Sequence, residues 1–99
     1  MVHRVSPRAE ADLDEIWEYI AGESGYPSIA QRLIDAITDR FVLISEHPHI
    51  GPSRAELQPE LRSHTVGNYV IFYRVRDEDL LIVRVLHASR DIGAIFREG

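Results

Sequence analysis

Two apolar runs separated by acidic residues constrain this chain most. Tyr69-Val70-Ile71-Phe72-Tyr73-Arg74-Val75 precedes Asp77-Glu78-Asp79, and Leu80-Leu81-Ile82-Val83-Arg84-Val85-Leu86-His87 follows. β-Branched and aromatic residues dominate both runs, so they read as strands 69–75 and 80–87 joined by a charged turn. Residues 61–66 supply a third strand, because Gly67-Asn68 before Tyr69 is a strong hairpin signal. An antiparallel sheet therefore occupies the C-terminal half, and the N-terminal half must cover one of its faces.

Alternation along the last strand assigns those faces. Leu81, Val83 and Val85 form an uninterrupted apolar set, whereas Arg84 interrupts Leu80, Ile82 and Leu86. The first set is expected to pack on helices, and the second to face a groove or a partner. Arg74 and Arg76 share a side with Val70 and Phe72. A three-residue loop would align that side with Arg84, and a loop of two or four would separate them. The register stays open at this level.

The N-terminal half reads as a strand and two helices. Val2 to Ser6 alternates like a short edge strand. Ser6 is an N-cap candidate, with Pro7 at the first helical position, where its missing N–H costs nothing. Ala9 stands where a capping box would need Glu or Gln, so that box is absent. Ala9, Leu13, Ile16, Trp17 and Ile20 form a helical stripe, with Asp12, Asp14, Glu15 and Glu18 assigned to a solvated face. Gly22 and Gly25 end the helix. Pro27 opens a second helix with Leu33, Ile34, Ile37, Phe41 and Ile44 on one stripe, stopping at His47-Pro48. Residues 48–60, rich in proline and glycine, form a structured loop. The tail 91–99 is a short helix or a frayed end. The fold class is α+β, in the order β-α-α-β-β-β, with an N-terminal helix hairpin packed on an antiparallel sheet.

Size and charge narrow the function classes. The chain has 99 residues, enough for one domain over 1–99 that buries about two thirds of its extended surface. It has no cysteine, so disulfides, thiolate metal sites and thiol nucleophiles are excluded. Sixteen acids oppose eleven bases, a formal net charge of -5, and every base is arginine. Gripping a nucleic-acid backbone usually requires a basic excess, so direct sequence-specific nucleic-acid binding is not expected. The absence of lysine removes Schiff-base and general-base lysines. No leader-like or membrane-length apolar run is present, and the expected location is the cytoplasm.

Several motifs carry a resemblance. Ser6-Pro7-x-Ala9-x-x-Asp12-Leu13-x-x-Ile16-Trp17-x-Tyr19-Ile20 comes first. Pro48-x-x-Gly51 and Glu60-Leu61-Arg62 follow, then Tyr69-x-Ile71-x-Tyr73-Arg74-Val75 and Ile82-x-Arg84-Val85-Leu86-His87-x-x-Arg90-Asp91. In order and spacing the chain resembles the ParE branch of the ParE/RelE toxin superfamily. That resemblance implies the toxin of a bacterial type II toxin–antitoxin system, associated with growth inhibition and plasmid stabilisation. RelE-like members cleave messenger RNA on the ribosome. ParE-like members keep the fold and poison DNA gyrase. Both are neutralised by a cognate antitoxin, here ParD-like or similar, in a hetero-oligomer. RNase members place a basic residue in the middle strand, where this chain has Tyr69-Val70-Ile71. They end on a His or Tyr near the scissile phosphate, where this chain has Ala88-Ser89. The resemblance therefore implies gyrase inhibition by binding, with no cofactor and no metal. The alternative is a ribosome-dependent endoribonuclease using Arg62, Arg84 and His87.

Candidate binding residues follow from the same strands. Arg62, Arg74, Arg84 and Arg90 suit acidic residues of an antitoxin tail, because guanidinium and carboxylate pair in bidentate geometry. The competing reading is pairing with the chain's own acids. Tyr69 and Tyr73 share a side of their strand and suit stacking on a base or an antitoxin aromatic, against a favoured core role. His87 suits a general acid, against a favoured structural role at the strand end. His47-x-His49 lacks a third ligand and is not read as a metal site. Trp17, Tyr19 and Phe41 are read as core or inter-helix packing.

Overall fold

Ser6 divides the first strand from the first helix. In the computed structural model, which describes residues 1–98, strand β1 (Val2–Val5) leads directly into α1 (Pro7–Ser24). The Ser6 hydroxyl accepts the Ala9 N–H at 3.0 Å, and Pro7 takes the first helical position. Gly25 ends α1 at φ 75°, a left-handed conformation that glycine adopts without Cβ strain; Gly22 remains inside the helix. Helix α2 (Pro27–Glu46) returns alongside, with Trp17 Nε1 donating to Gln31 Oε1 across the hairpin. Strands β2 (Leu61–Val66), β3 (Tyr69–Arg76) and β4 (Asp79–His87) follow, and α3 (Ile92–Glu98) closes the chain.

The sheet order is β1-β4-β3-β2. The pairs β2–β3 and β3–β4 are antiparallel as expected, whereas β1 joins β4 in parallel, so the sheet is mixed. Parallel pairing needs a long crossover, and here α1, α2 and two strands supply it. The β3–β4 loop is the two residues Asp77-Glu78, which alone would put Arg74 and Arg84 on opposite sides. A register shift between Phe72 and Tyr73 cancels that separation. Arg84 pairs opposite Phe72, the side that Arg74 also occupies.

The same irregularity overturns the expected face assignment of β4. Leu80 and Ile82 pack under the helices with Ala9, Ile37, Phe41, Ile44, Ile71 and Tyr73, and Val85 joins them beyond the bulge. A bulge puts one extra residue on one strand, so strict alternation fails across it. The opposite face, expected to await a partner, is also covered. Leu61, Val70, Phe72 and Leu86 bury against Phe96 of α3, with Leu57 and Ile95 packed beside them. The Phe72 and Phe96 rings meet edge-on with centroids 5.0 Å apart.

Tyr73 fastens the 48–60 loop to this core. Its side chain is fully buried, and its hydroxyl donates to Pro48 O at 2.9 Å while accepting the Gly51 N–H at 3.0 Å. Burial pushes the phenol up from its ordinary value, partly offset by the Gly51 hydrogen bond. A Cβ on Gly51 would lie 2.1 Å from Ser63 O, so only glycine fits there. Tyr73→Phe leaves the Gly51 N–H unsatisfied and is expected to cost roughly 1–3 kcal/mol. Gly51→Ala, which forces backbone apart, is expected to cost more than Tyr73→Phe; urea denaturation ranks the two.

His64 on β2 sits 3.3 Å from an Arg40 nitrogen of α2. Burial, then the Arg40 charge, hold its pKa below the ordinary imidazole value. The unfolded chain therefore takes up the proton first as pH falls. The neutral-histidine state favours folding above the unfolded pKa, and that advantage is lost as pH drops through it toward the folded value. The stability of wild type relative to His64→Asn is expected to decline below about pH 6.5 and to be level above it, read from melts across pH.

Candidate functional site

Beyond Ile82, the edge of β4 turned away from β3 has no strand neighbour, because β1 ends at Val5. Side chains from α1 take over. The Ser6 hydroxyl donates to Val83 O at 2.8 Å, and Asp12 Oδ2 accepts the Val85 N–H at 2.9 Å. Asp12 also receives Arg84 in a two-pronged pair, Nε to Oδ2 at 2.8 Å and Nη2 to Oδ1 at 2.9 Å. The Arg84 and Asp12 side chains are only 12% and 7% exposed. Hydrogen bonding to Asp12 raises the Arg84 pKa above its ordinary value, burial opposes this, and the Asp12 and Glu15 charges assist it. Asp12 was expected on a solvated helix face. It belongs to the inner stripe, three residues after the buried Ala9, and that spacing was the signal for it.

A groove of about 500 Å³ opens beside this node, between α1 and the ends of β3 and β4. Asp12, Glu15, Ile16 and Tyr19 line one wall; Tyr69, Val85, His87, Ser89 and Arg90 line the other. Tyr69 is nearly buried and meets the His87 ring edge-on, with centroids 5.1 Å apart. Burial, with the nearby Tyr19, raises the Tyr69 phenol pKa. Tyr19, expected in packing, is 62% exposed at the groove mouth. The His87 Nδ1 accepts the Ser89 backbone N–H at 3.0 Å, so the ring proton resides on Nε2.

The groove thus gathers three of the candidate residues, Tyr69, His87 and Arg90. It leaves the others apart. Arg62 on β2 donates to Gly51 O at 2.7 Å. Arg74 donates to Gln58 Oε1 at 2.6 Å, with its Nε buried and unpartnered. Tyr73 lies in the interior, and Arg84 is held by Asp12. Arg62 pairs opposite Tyr73 and His87 opposite Tyr69, which puts their backbones two strands and four residues apart, roughly 16 Å. Asp12, Glu15 and Tyr19 were missed as site residues, because a helix facing a sheet end is not visible in strand alternation. Among the described residues no group of three or more metal-ligating side chains occurs, and no helix is long and apolar enough to cross a membrane.

A family model described as the ParE toxin of the type II toxin–antitoxin system parDE matches residues 4–92. The chain belongs to this family. It is the toxin component of a type II toxin–antitoxin system. The ParE1 toxin of Caulobacter vibrioides is 37% identical over 94 residues, covering 93% of this chain and 94% of that protein. The ParE1 toxin of Mycobacterium tuberculosis is 34% identical over 89 residues, covering 89% of this chain and 90% of that one. A solved structure described as the chromosomal ParDE system from P. aeruginosa matches with a TM-score of 0.77 and 22% identity. That match covers 88% of this ParE-family chain and 95% of the solved one, and it supports the fold.

The buried ion pair of this ParE-family toxin is open to a direct test. Asp12→Asn removes the charge opposite Arg84 and one of the acceptors. It is expected to destabilise the fold by about 3–5 kcal/mol, as when one partner of a buried pair is lost. Arg84→Met leaves the buried Asp12 carboxylate without its counter-charge and is expected to cost a comparable amount. Chemical denaturation of both variants measures the cost.

Proposed function

We propose that this ParE-family toxin acts by binding DNA gyrase and stabilising its cleaved-DNA intermediate, with no chemistry of its own. A ParD-like antitoxin neutralises it in a hetero-oligomer, in the cytoplasm, by covering the groove of Tyr69, His87 and Arg90. One observation carries this reading: Arg62, Arg84 and His87, the residues a nuclease mechanism would use, do not converge. Arg62 holds the 48–60 loop, Arg84 is paired with Asp12, and His87 lies far from Arg62. Phosphoryl chemistry needs donors preorganised around one transition-state phosphate. A guanidinium with two hydrogen bonds to a buried carboxylate is poorly placed to supply that. The formal charge of -5 also favours a protein target over a nucleic-acid one.

The test uses the purified toxin with gyrase and supercoiled plasmid. Inhibited supercoiling and accumulated cleaved DNA are the expected results, abolished by prior addition of antitoxin. Absence of both effects removes gyrase as the target. Codon-linked transcript cuts with added ribosomes, lost in His87→Ala, would replace this reading with the nuclease.

A further inference from the structure

The groove beside α1 has two unlike walls. On the helix wall Glu15 stands exposed, one turn beyond Asp12, whose charge Arg84 already neutralises. On the opposite wall Arg90 stands exposed in the turn after β4. Among the described residues neither Glu15 nor Arg90 has an ion-pair partner. Ile16, Val85, Tyr69 and Tyr19 line the space between them. Its volume of about 500 Å³ lies in the range of sites for side chains and small ligands.

An occupant must satisfy both charges. A wholly apolar segment would strip water from Glu15 and Arg90 and return nothing. A segment of one charge sign would be repelled by one wall. The geometry points to an antitoxin segment that sets an apolar residue on Tyr69 and Tyr19, an arginine or lysine against Glu15, and a carboxylate against Arg90. This inference rests on the antitoxin reading above and adds which charge of the segment meets which wall. The wider charge distribution agrees. Helix α1 carries six carboxylates and one arginine, a net of -5, equal to the formal charge of the whole chain, so the remainder is neutral. The basic side of the segment therefore faces a helix backed by Asp14 and Glu18. The acidic side faces Arg90, and the His87 Nε2 proton adds a donor to that wall. A reversed segment puts like charges together on both walls, which turns affinity into discrimination between antitoxins.

Titration calorimetry of the full chain with a ParD-like antitoxin tests this. Glu15→Arg and Arg90→Glu are each expected to weaken binding about tenfold or more, with both free variants still folded and melting cooperatively. Asp14→Arg, on α1 but outside the groove, serves as the control and is expected to change affinity less than either. Reversing the matching antitoxin carboxylate to arginine is expected to restore binding to Arg90→Glu. Unchanged affinity in both groove variants overturns the inference and leaves the antitoxin pairing intact. An equal loss in Asp14→Arg also overturns it, since general attraction would then suffice. No binding by the wild-type chain removes the antitoxin reading and this inference together.

Discussion

Strand β1 is too short for the strand it accompanies, and the rest of the molecule is arranged around that shortfall. It stops opposite Ile82, leaving the Val83 carbonyl and the Val85 amide of β4 beside no strand. Unpaired backbone groups removed from water are costly, so something must take their place. The first turns of α1 do so with two side chains, the Ser6 hydroxyl and the Asp12 carboxylate. Ser6 thereby serves as helix cap and strand partner at once, which fixes where α1 begins and how it lies on the sheet. Asp12 is buried by that role, and a buried carboxylate needs a counter-charge. Arg84, on the bulge next to Val85, provides it.

The bulge and the ion pair explain each other. A regular β4 would carry its alternation unbroken from Leu80 to His87. The extra residue lets Leu80, Ile82 and Val85 all reach the core beneath the helices, while Arg84 arrives at Asp12. A buried ion pair is weak support for net stability, because desolvation offsets much of the Coulomb attraction. Its contribution here is positional: it joins the start of α1 to one residue pair on β4 and holds the groove walls at a fixed spacing.

This division also explains what was legible in the sequence. Ser6 as cap, Pro7 and Pro27 as helix openers, Gly25 as terminator and Gly67-Asn68 as a turn are local effects, and each stands where local chemistry puts it. The element order and the two-helix hairpin followed from them. The faces of β4 did not, because a one-residue bulge inverts alternation and leaves no mark in composition. The parallel pairing of β1 depends on contacts about eighty residues apart in the chain, as between Val2 and Asp79, which no window along the sequence contains. For the site, Tyr69 and Arg90 stood among the binding candidates and His87 as a strand-end residue, but their meeting in one groove was not readable. Nor was its second wall on α1, since Glu15 and Tyr19 resemble any solvated helix residues until the sheet end is set against them.

The fate of the arginines bears most directly on function. An all-arginine complement on a C-terminal sheet suggests a basic surface ready for an anion. In the folded chain Arg62, Arg74 and Arg84 each donate within the molecule, to a loop carbonyl, a glutamine and a carboxylate. Planar guanidinium groups with several donors suit this use, tying loops and helices to strands at fixed angles. Arg90 differs, exposed in the turn after β4 and lining the groove. With Arg62, Arg74 and Arg84 bound internally, the groove beside the acidic helix carries charge of mixed sign. Such a surface is poorly suited to gripping a phosphate backbone by bulk attraction, and under the proposed antitoxin reading the order of charges along a protein segment selects the partner.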